Sequence, residues 1–400
     1  MSHVVDAIAA LPEVRAARAW LERFDGETLA WQRAIAAVAA PTGSERRRAD
    51  VVAARFAEVG IGAVRRDDAG NLIGCWGGDG TASAGVVIAA HLDTVFPEET
   101  DLTVRQHGAR LIGPGISDNA RGLAGLLALA GACHHAGLRP PAPITFVATT
   151  GEEGAGDLAG TRHLFATSGF RPIAFIALDG AGIERVVHRA LGSRRLRAVY
   201  RGPGGHSWAA FGVANPVQAV GLAAVAVGEL PLPASPRTTA SVVRIGGGSG
   251  LNTIPQEAWL ELDLRSESEA ALDALYGAAT EALARALDGA NRRRAAGTAP
   301  LTLQIVPLGY RPSGITDPGH ELVQGALAAT RSVGHTPDLA AASTDANVPI
   351  SRGVPGIALG AGGRGGNTHL VTEWYENVDG PVGLFRALLV ACAAAGLVAA

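Results

Sequence analysis

Short apolar runs alternate with longer segments of helical periodicity along most of the chain. The apolar runs at residues 85–90, 144–149 and 173–178 have the length and composition of buried strands. Apolar positions at helical spacing predict helices near residues 122–135 and 320–332. Strands that alternate with helices indicate an α/β domain whose sheet is largely parallel.

The pattern changes in the middle of the chain, where strands and helices no longer alternate one by one. Strands are predicted near residues 193–201, 239–245, 258–265 and 301–306, and helices near residues 216–230 and 267–287. This order is typical of a small α+β sandwich of the ferredoxin-like type. The α/β pattern then resumes, so we expect a larger domain over residues 1–187 and 304–400, with an inserted domain over residues 188–303.

The N-terminal segment is predicted to be helical. Residues 3–40 show helical spacing of apolar positions, and Ser44 is expected to cap a helix that runs to about residue 59. The basic run Arg46-Arg47-Arg48 within it is interpreted as a solvated helix face. No signal-peptide pattern is present, and the apolar segment at residues 387–400 is too short to span a bilayer.

Composition narrows the possible chemistry. All 34 basic side chains are arginine, because the sequence contains no lysine. The absence excludes Schiff-base chemistry on lysine and a P-loop lysine, although a GC-rich coding bias is its simpler explanation. The net charge of −3 gives no general attraction to nucleic acid. Three dispersed cysteines argue against a disulfide framework and fit a cytoplasmic protein.

Acidic residues and histidines stand at the ends of the predicted strands or in the loops that follow them. They are His91, Asp118, the pair Glu152 and Glu153, Asp179, and His369. Ligands bind at the carboxyl ends of the strands in open α/β sheets. Histidine and carboxylate ligands without thiolates suit a catalytic divalent ion, and two ions that share a carboxylate can activate a water.

Each of these residues taken alone has an ordinary explanation. Asp118 precedes a predicted helix and could be its N-cap, Glu152 and Glu153 could be a solvated pair, and His369 could be a surface histidine. The ordered set at successive strand ends is the stronger indication of a metal centre. His91 and Asp93 are two residues apart in an extended segment, so the Asp93 carboxylate is expected to accept a hydrogen bond from the second ring nitrogen of His91.

The chain resembles the co-catalytic zinc exopeptidases and amidohydrolases that include acetylornithine deacetylase, aminoacylase, carboxypeptidase G and peptidase T. The motifs that carry the resemblance are Ala90-His91-Leu92-Asp93-Thr94-Val95, Gly113-Pro114-Gly115-Ile116-Ser117-Asp118, Thr150-Gly151-Glu152-Glu153-Gly154, Leu178-Asp179, Gly204-Gly205-His206-Ser207 and Asn367-Thr368-His369-Leu370. The resemblance extends over almost the whole chain. It implies a phosphorylase/hydrolase-like catalytic domain with an inserted lid that also forms a dimer interface.

The resemblance also implies a set of roles around two divalent ions. Zinc is expected, with cobalt or manganese as alternatives. The implied ligands are His91 and Asp179 on one ion, Glu153 and His369 on the other, and Asp118 bridging both. Asp93 is implied as the residue that orients His91, and Glu152 as the general base toward a metal-activated water.

Three residues of the inserted segment have implied roles in substrate binding. His206 matches a lid histidine that reaches the partner's site in a homodimer and polarises the scissile carbonyl. Arg265 stands where relatives bind a substrate carboxylate, for which an arginine fork is suited, and Asn252 matches a lid asparagine near the substrate. A strand-exposed arginine and a turn asparagine remain the alternatives.

The substrate class is the least determined part of the prediction. The segment Asp118-Asn119-Ala120-Arg121-Gly122 keeps the ligand but departs from the continuation in many relatives, whereas residues 343–347 resemble the peptidase T-like branch. The leading hypothesis is therefore a hydrolase of di- or tripeptides. The alternatives are an N-acyl or N-carbamoyl amino-acid amidohydrolase and a non-catalytic binding protein on the same fold. The long segment between Asp179 and His369 argues against a lidless zinc aminopeptidase. Arg121, Arg311 and Arg364 follow Arg265 as candidate carboxylate ligands.

Overall fold

A computed structural model describes residues 1–62, 64–77, 85–167, 169–248 and 250–398. The chain divides into two compact units, the first formed by residues 1–190 and 315–400 and the second by residues 191–314. The second unit therefore ends later than the expected boundary at residue 303. The reason is that strand Thr302–Arg311 pairs along its whole length with strand Gly192–Arg201 of the second unit.

The helices and strands are numbered here in chain order. The α-helices are α1 (Ser2–Ala10), α2 (Pro12–Arg23), α3 (Asp25–Ala36), α4 (Arg46–Glu58), α5 (Ala120–His135), α6 (Ala159–Ala166), α7 (Pro216–Gly228), α8 (Glu269–Arg292), α9 (Glu321–Ser332), α10 (Asn347–Ser351) and α11 (Gly380–Ala394). The strands are β1 (Arg65–Arg66), β2 (Leu72–Trp76), β3 (Val86–His91), β4 (Arg105–His107), β5 (Arg110–Ile112), β6 (Ile144–Thr149), β7 (Ala174–Leu178), β8 (Arg185–Ala190), β9 (Gly192–Arg201), β10 (Gly205–His206), β11 (Thr238–Gly247), β12 (Thr253–Ile254), β13 (Glu257–Ser266), β14 (Thr302–Arg311), β15 (Gly314–Ile315), β16 (Asp338–Ala342), β17 (Gly356–Leu359), β18 (Arg364–Gly366) and β19 (Trp374–Glu376). A single 3₁₀ turn is described at Gly154–Gly156.

The large sheet of the first unit has the order β1-β2-β6-β3-β7-β17-β8-β15, with β16 beside β8. Its central strands β6, β3, β7 and β17 are parallel, and every residue of these four strands is buried. Alternate side chains of these strands enter two hydrophobic clusters, one with α5 and α11 and the other with α6 and α10. The predicted α/β fold with a largely parallel sheet is confirmed, and the carboxyl ends of β3, β6 and β7 meet at one edge.

The N-terminal segment is helical as predicted, and one detail needs correction. It forms three helices, α1, α2 and α3, and Pro12 begins α2. Ser44 does not cap α4, which follows Glu45 without a side-chain capping bond. The Glu45 carboxylate instead accepts hydrogen bonds from the amides of Gly43 at 2.8 Å and Gly151 at 3.1 Å.

Arg48 is not part of a solvated face, because its side chain is fully buried. Its guanidinium donates hydrogen bonds to the carbonyl oxygens of Val38, at 3.0 and 2.7 Å, and Leu92, at 3.0 Å. Burial lowers the pKa of Arg48 to about 10. The side chain therefore anchors α4 to the segment that directly follows His91.

The second unit contains an antiparallel sheet of order β11-β13-β9-β14. One face packs against α7 and α8 through a core that includes Leu196 and Leu262. A separate pair, β10 and β12, aligns His206 with Thr253, and the Ser207 amide donates to the Asn252 carbonyl at 2.8 Å. The predicted α+β insertion is confirmed as a fold. Among the helices of the described residues, none combines the length and the apolar character that a membrane span requires.

The role of Arg48 gives a stability prediction. Arg48→Ala leaves two buried carbonyl groups without donors, so we expect the free energy of unfolding to fall by about 3 kcal/mol. Arg46→Ala is the matched control, because Arg46 lies two residues earlier on the exposed side of α4. Urea titration measures both. Equal unfolding free energies of the two variants would contradict the anchoring role.

Candidate metal centre and catalytic residues

The five predicted ligands all belong to the first unit. His91 is the last residue of β3, and Asp179 directly follows β7. Glu153 follows β6, whereas Asp118 precedes α5 and His369 lies in the loop after β18. The parallel strands therefore deliver three of the five residues to the same edge of the sheet.

The Asp118 carboxylate lies between the two histidines. Its Oδ1 is 3.0 Å from Nε2 of His91, and its Oδ2 is 3.3 Å from Nε2 of His369. Nε2 of His369 is also 2.9 Å from Oε1 of Glu153. Ligand atoms of His91, Asp118 and Glu153 all lie within 4.8 Å of one another, so these three side chains form a possible metal-binding cluster.

The carboxylates around the two histidines favour positive charge at this centre. Burial alone would lower the pKa of His91, but hydrogen bonds to Asp118 and Asp93 outweigh it and raise that pKa well above its usual value. Hydrogen bonds to Asp118 and Glu153 raise the pKa of His369 to about 10. Burial opposes the charged form of Asp118, yet its contacts with both histidines hold its pKa well below the usual range. The donor set thus fits a bound cation, since two imidazolium ions supply the positive charge when none is present.

Asp179 shares the electrostatic field of this cluster. Burial raises the pKa of its carboxyl to about 7, and the negative charge of Asp118 adds to the effect while the charge of His91 opposes it. Its backbone amide donates to the Leu359 carbonyl at 2.9 Å and fixes the chain between β7 and β17. A carboxyl group that resists ionisation beside other carboxylates is stabilised as an anion by a nearby divalent ion.

Asn119, rather than Asp118, caps α5. Its Oδ1 accepts hydrogen bonds from the amides of Gly122 at 3.0 Å and Gly180 at 3.1 Å, and its Nδ2 donates to the Leu178 carbonyl at 2.9 Å. A Cβ atom on Gly122 would lie 2.0 Å from Oδ1 of Asn119, so glycine is required there. The residue that departs from many relatives therefore connects the Asp118 loop with the residues on both sides of Asp179.

Asp93 makes a long version of the predicted contact with His91, and its carboxylate makes shorter contacts besides. Nδ1 of His91 is 3.1 Å from the backbone carbonyl of Asp93 and 3.5 Å from its carboxylate. The carboxylate mainly accepts hydrogen bonds from the amides of Glu152 and Glu153, both at 2.9 Å, and from the Thr42 hydroxyl at 2.9 Å. Asp93 therefore joins the strand end that carries His91 to the loop that carries both glutamates.

Side-chain oxygens hold four consecutive amides of the loop after β6. The amide of Thr150 donates to Asn71 Oδ1 at 3.0 Å and that of Gly151 donates to Glu45, while the next two amides donate to Asp93. The side chains of Glu152 and Glu153 are buried. This network fixes the backbone under the predicted general base. Glu45 and Asn71 carried no sequence pattern that assigned them this task.

Two further buried carboxylates were missed as contributors to the site. Asp345 accepts hydrogen bonds from the hydroxyls of Thr149 and Thr161, both at 2.5 Å, and burial raises its pKa. Glu373 accepts hydrogen bonds from backbone amides of the Asp118 loop, and burial raises its pKa to about 7. Asp345 lies in the segment that suggested the peptidase T-like branch. Glu373 had no signal beyond its place four residues after His369.

The predicted substrate residues of the lid belong to the second unit. His206 is exposed, and its Nδ1 accepts a hydrogen bond from the Trp208 amide at 3.2 Å. Asn252 is exposed in the adjoining turn. Arg265 on β13 donates from Nε to Asp263 Oδ2 at 2.8 Å, which engages one side of its guanidinium fork.

The three secondary arginine candidates differ in access. Arg121 is fully buried, donates to the Ala361 carbonyl at 2.8 Å and lies over the Tyr375 ring, so its guanidinium is enclosed in the core. Arg311 is also buried, whereas Arg364 is exposed on β18. Arg265 and Arg364 remain as candidates.

The model of one protein family matches residues 87–388, which is more than half of the chain. Its description is peptidase family M20/M25/M40. The chain belongs to this family. It is accordingly a hydrolase that acts on C–N bonds, and the resemblance seen in the sequence is confirmed. A comparison with curated protein sequences gave no significant match.

Solved structures of two peptidases and an amidase share the fold. Aminopeptidase PepT from Bacillus cereus is 21% identical with a TM-score of 0.70, over 93% of this chain and 99% of that chain. A tripeptidase from Staphylococcus aureus is 19% identical with a TM-score of 0.74, over 92% and 98%. An amidase of the hydantoinase/carbamoylase family from Burkholderia vietnamiensis is 17% identical with a TM-score of 0.67, over 90% and 92%. At these identities the likeness shows the fold.

The histidine pKa values predict proton release. At pH 7 the metal-free centre holds protonated His91 and His369, whose pKa values are raised. A divalent ion binds neutral imidazole and ionised carboxylate, so zinc binding should release the two histidine protons and part of a proton from Asp179 per chain. Because the pKa of His369 is about 10, its proton is lost and its share of the release disappears above that pH.

Calorimetry in buffers of different ionisation enthalpy measures this release. His369→Asn should release fewer protons than the unmodified chain. The control His107→Asn changes a residue of the exposed strand β4 and should release as many protons as the unmodified chain. Metal binding without proton release, or equal release from all three proteins, would contradict the charge assignment.

Proposed function

We propose that the chain is a di-metal hydrolase that cleaves the amide bond of a small peptide with a free carboxylate, with Glu152 as general base. The observation that carries the proposal is the Asp118 carboxylate, which presents one oxygen to His91 and the other to His369. A carboxylate held in this way suits a bridge between two ions.

The ligand sets remain those implied by the sequence: His91 and Asp179 for one ion, Glu153 and His369 for the other. When bound, two ions would polarise the scissile carbonyl and make a water acidic. The donors are nitrogen and oxygen atoms without thiolates, which suits zinc and also cobalt or manganese.

Glu152 would take a proton from the attacking water and deliver it to the leaving amine. Its side chain is buried, and the network of Asp93, Glu45 and Asn71 holds the backbone on which it stands. A base on a fixed backbone needs little reorganisation during proton transfer. Asp93 contributes by linking this loop to His91.

Support for a peptide substrate comes from residues 343–347 and from the peptidase and tripeptidase structures that share the fold. The amidase of the hydantoinase/carbamoylase family supports the second candidate, an N-acyl or N-carbamoyl amino-acid amidohydrolase. Arg265 would serve either candidate, because both kinds of substrate carry a free carboxylate.

The second unit is proposed as the homodimer surface. Its edge strand β11 exposes Val243 and Ile245, and α7 exposes Val217 and Val225. An exposed apolar edge strand is a ready site for pairing with another chain. A second copy of the same edge would cover it and would allow His206 to reach the partner's catalytic site.

A substrate screen tests the proposed reaction. The zinc-loaded chain is incubated with pooled dipeptides, tripeptides, N-acyl and N-carbamoyl amino acids, and mass spectrometry follows their loss. We expect di- or tripeptides to be consumed. Glu152→Gln should keep its metal content and lose a factor of about 10²–10⁴ in kcat.

Glu22→Gln is the control, because Glu22 is an exposed residue on α2. It should keep full activity. Consumption of N-carbamoyl or N-acyl amino acids alone would transfer the assignment to the second candidate. Unchanged turnover in Glu152→Gln would remove the general-base role.

Mixed dimers test the role of His206. His206→Ala and Glu152→Gln subunits are each expected to be inactive as homodimers. If His206 acts on the partner's site, random pairing restores one intact site per mixed dimer, about a quarter of the unmodified activity. As a control, the Glu152→Gln subunit is replaced by a subunit that carries both changes. That subunit cannot supply His206 to the partner's site, so mixing it with the His206→Ala subunit should restore no activity. Verified mixed dimers without activity would contradict the crossed arrangement.

A further inference from the structure

We propose that Glu373 is a positioning residue that fixes Asp118 relative to His369 and thereby sets the affinity of the centre for its ions. The inference rests on the proposed function, because it assumes that Asp118 bridges two ions. It concerns a residue outside the predicted ligand set. The argument depends on hydrogen bonds, burial and chain connectivity.

The Glu373 carboxylate is occupied by the backbone of the Asp118 loop. Its Oε1 accepts hydrogen bonds from the amides of Ser117 and Asp118, both at 2.7 Å, and its Oε2 accepts one from the Gly115 amide at 3.2 Å. Its own backbone carbonyl accepts a bond from the Gly113 amide at 2.9 Å. One residue therefore holds four amides of a six-residue loop that ends at the bridging ligand.

The same residue is attached to the segment that carries His369. The Glu373 amide donates to the Leu370 carbonyl at 2.9 Å, and the Leu370 amide donates to the Asn367 carbonyl at 3.0 Å. These bonds close two consecutive turns, one that contains His369 and one that follows it. Directly after Glu373, β19 pairs with β5, which ends just before the Asp118 loop. Glu373 thus links two ligand-bearing segments that are distant in sequence.

An ionised carboxylate at the position of Glu373 is energetically unfavourable unless a cation is near it. Glu373 is fully buried, and it lies beside Asp118, which is itself an anion. Burial of a second negative charge next to the first is unfavourable in a medium of low dielectric constant. The buried Arg48 guanidinium interacts with Glu373 and offsets part of this repulsion, and ions held by Asp118 and His369 would offset more of it. The placement is therefore consistent with a residue that is useful when the centre is loaded.

Metal affinity is the direct test. Glu373→Gln keeps the shape of the side chain but turns an NH₂ group toward backbone amides, so at least one hydrogen bond is lost. Outer residues that orient metal ligands usually change metal affinity by about 10–100-fold, and we expect a loss of that size. Zinc affinity is measured by competition with a chelator, on metal-free protein whose fold is checked by circular dichroism.

Glu269→Gln is the matched control. Glu269 also accepts a backbone hydrogen bond, from the Ser313 amide at 2.9 Å, but it belongs to the second unit, which contains none of the predicted ligands. Its variant should bind zinc like the unmodified chain. Glu373→Asp is the second variant, because it keeps the charge and shortens the reach. If Glu373→Gln does not fold, Glu373→Asp is measured in its place. Glu373→Asp should also weaken zinc binding.

The outcomes separate the two proposals. Normal binding in the unmodified chain and weakened binding in the Glu373 variants alone support the positioning role. Affinities equal within a factor of about two in folded Glu373 variants would overturn it and leave the proposed function intact. Equal losses in the Glu269 control would also overturn it, since the effect would then be general. An unmodified chain that binds no zinc would overturn the di-metal function and this inference together.

Discussion

The concentration of buried negative charge at one edge of the large sheet is the constraint on which the rest of the site depends. Asp93, Glu152, Glu153, Asp345 and Glu373 are all buried there or beside it, and Asp118 is nearly so. Carboxylates packed together in this way are strongly unfavourable without counter-charge. Raised histidine pKa values supply part of the counter-charge, and divalent ions would supply it more completely.

The surrounding structure is organised to hold these anions in place. Parallel strands bring His91, Glu153 and Asp179 to a common edge, and side-chain acceptors then fix the loops between strands and helices. Asp93 holds the loop of the predicted base, and Asn119 connects the Asp118 loop to the residues around Asp179. Arg48 anchors the segment after His91 through a buried guanidinium. Rigid loops of this kind are what a pre-organised catalytic centre requires.

The sequence was sufficient for the fold and for the candidate ligands, because both have local signals. Apolar runs of strand length located β3, β6 and β7, and motifs at their ends or in the following loops located the acidic residues and histidines. Contacts that join distant segments had no such signal. Glu373 reaches the Asp118 loop across more than 250 positions, and Glu45 reaches Gly151 across more than 100. Arg48 was interpreted as a surface residue because it belongs to a run of three arginines. Such a run does not show which of its side chains is buried.

Anomalous X-ray diffraction from crystals of the zinc-loaded chain tests the central claim most directly. The account predicts two peaks per chain, one in contact with His91 and Asp179 and one in contact with Glu153 and His369. Both peaks should also contact Asp118, one at each carboxylate oxygen. A single peak, peaks at other residues, or a well-ordered Asp118 side chain with no anomalous peak near it would contradict the di-metal centre.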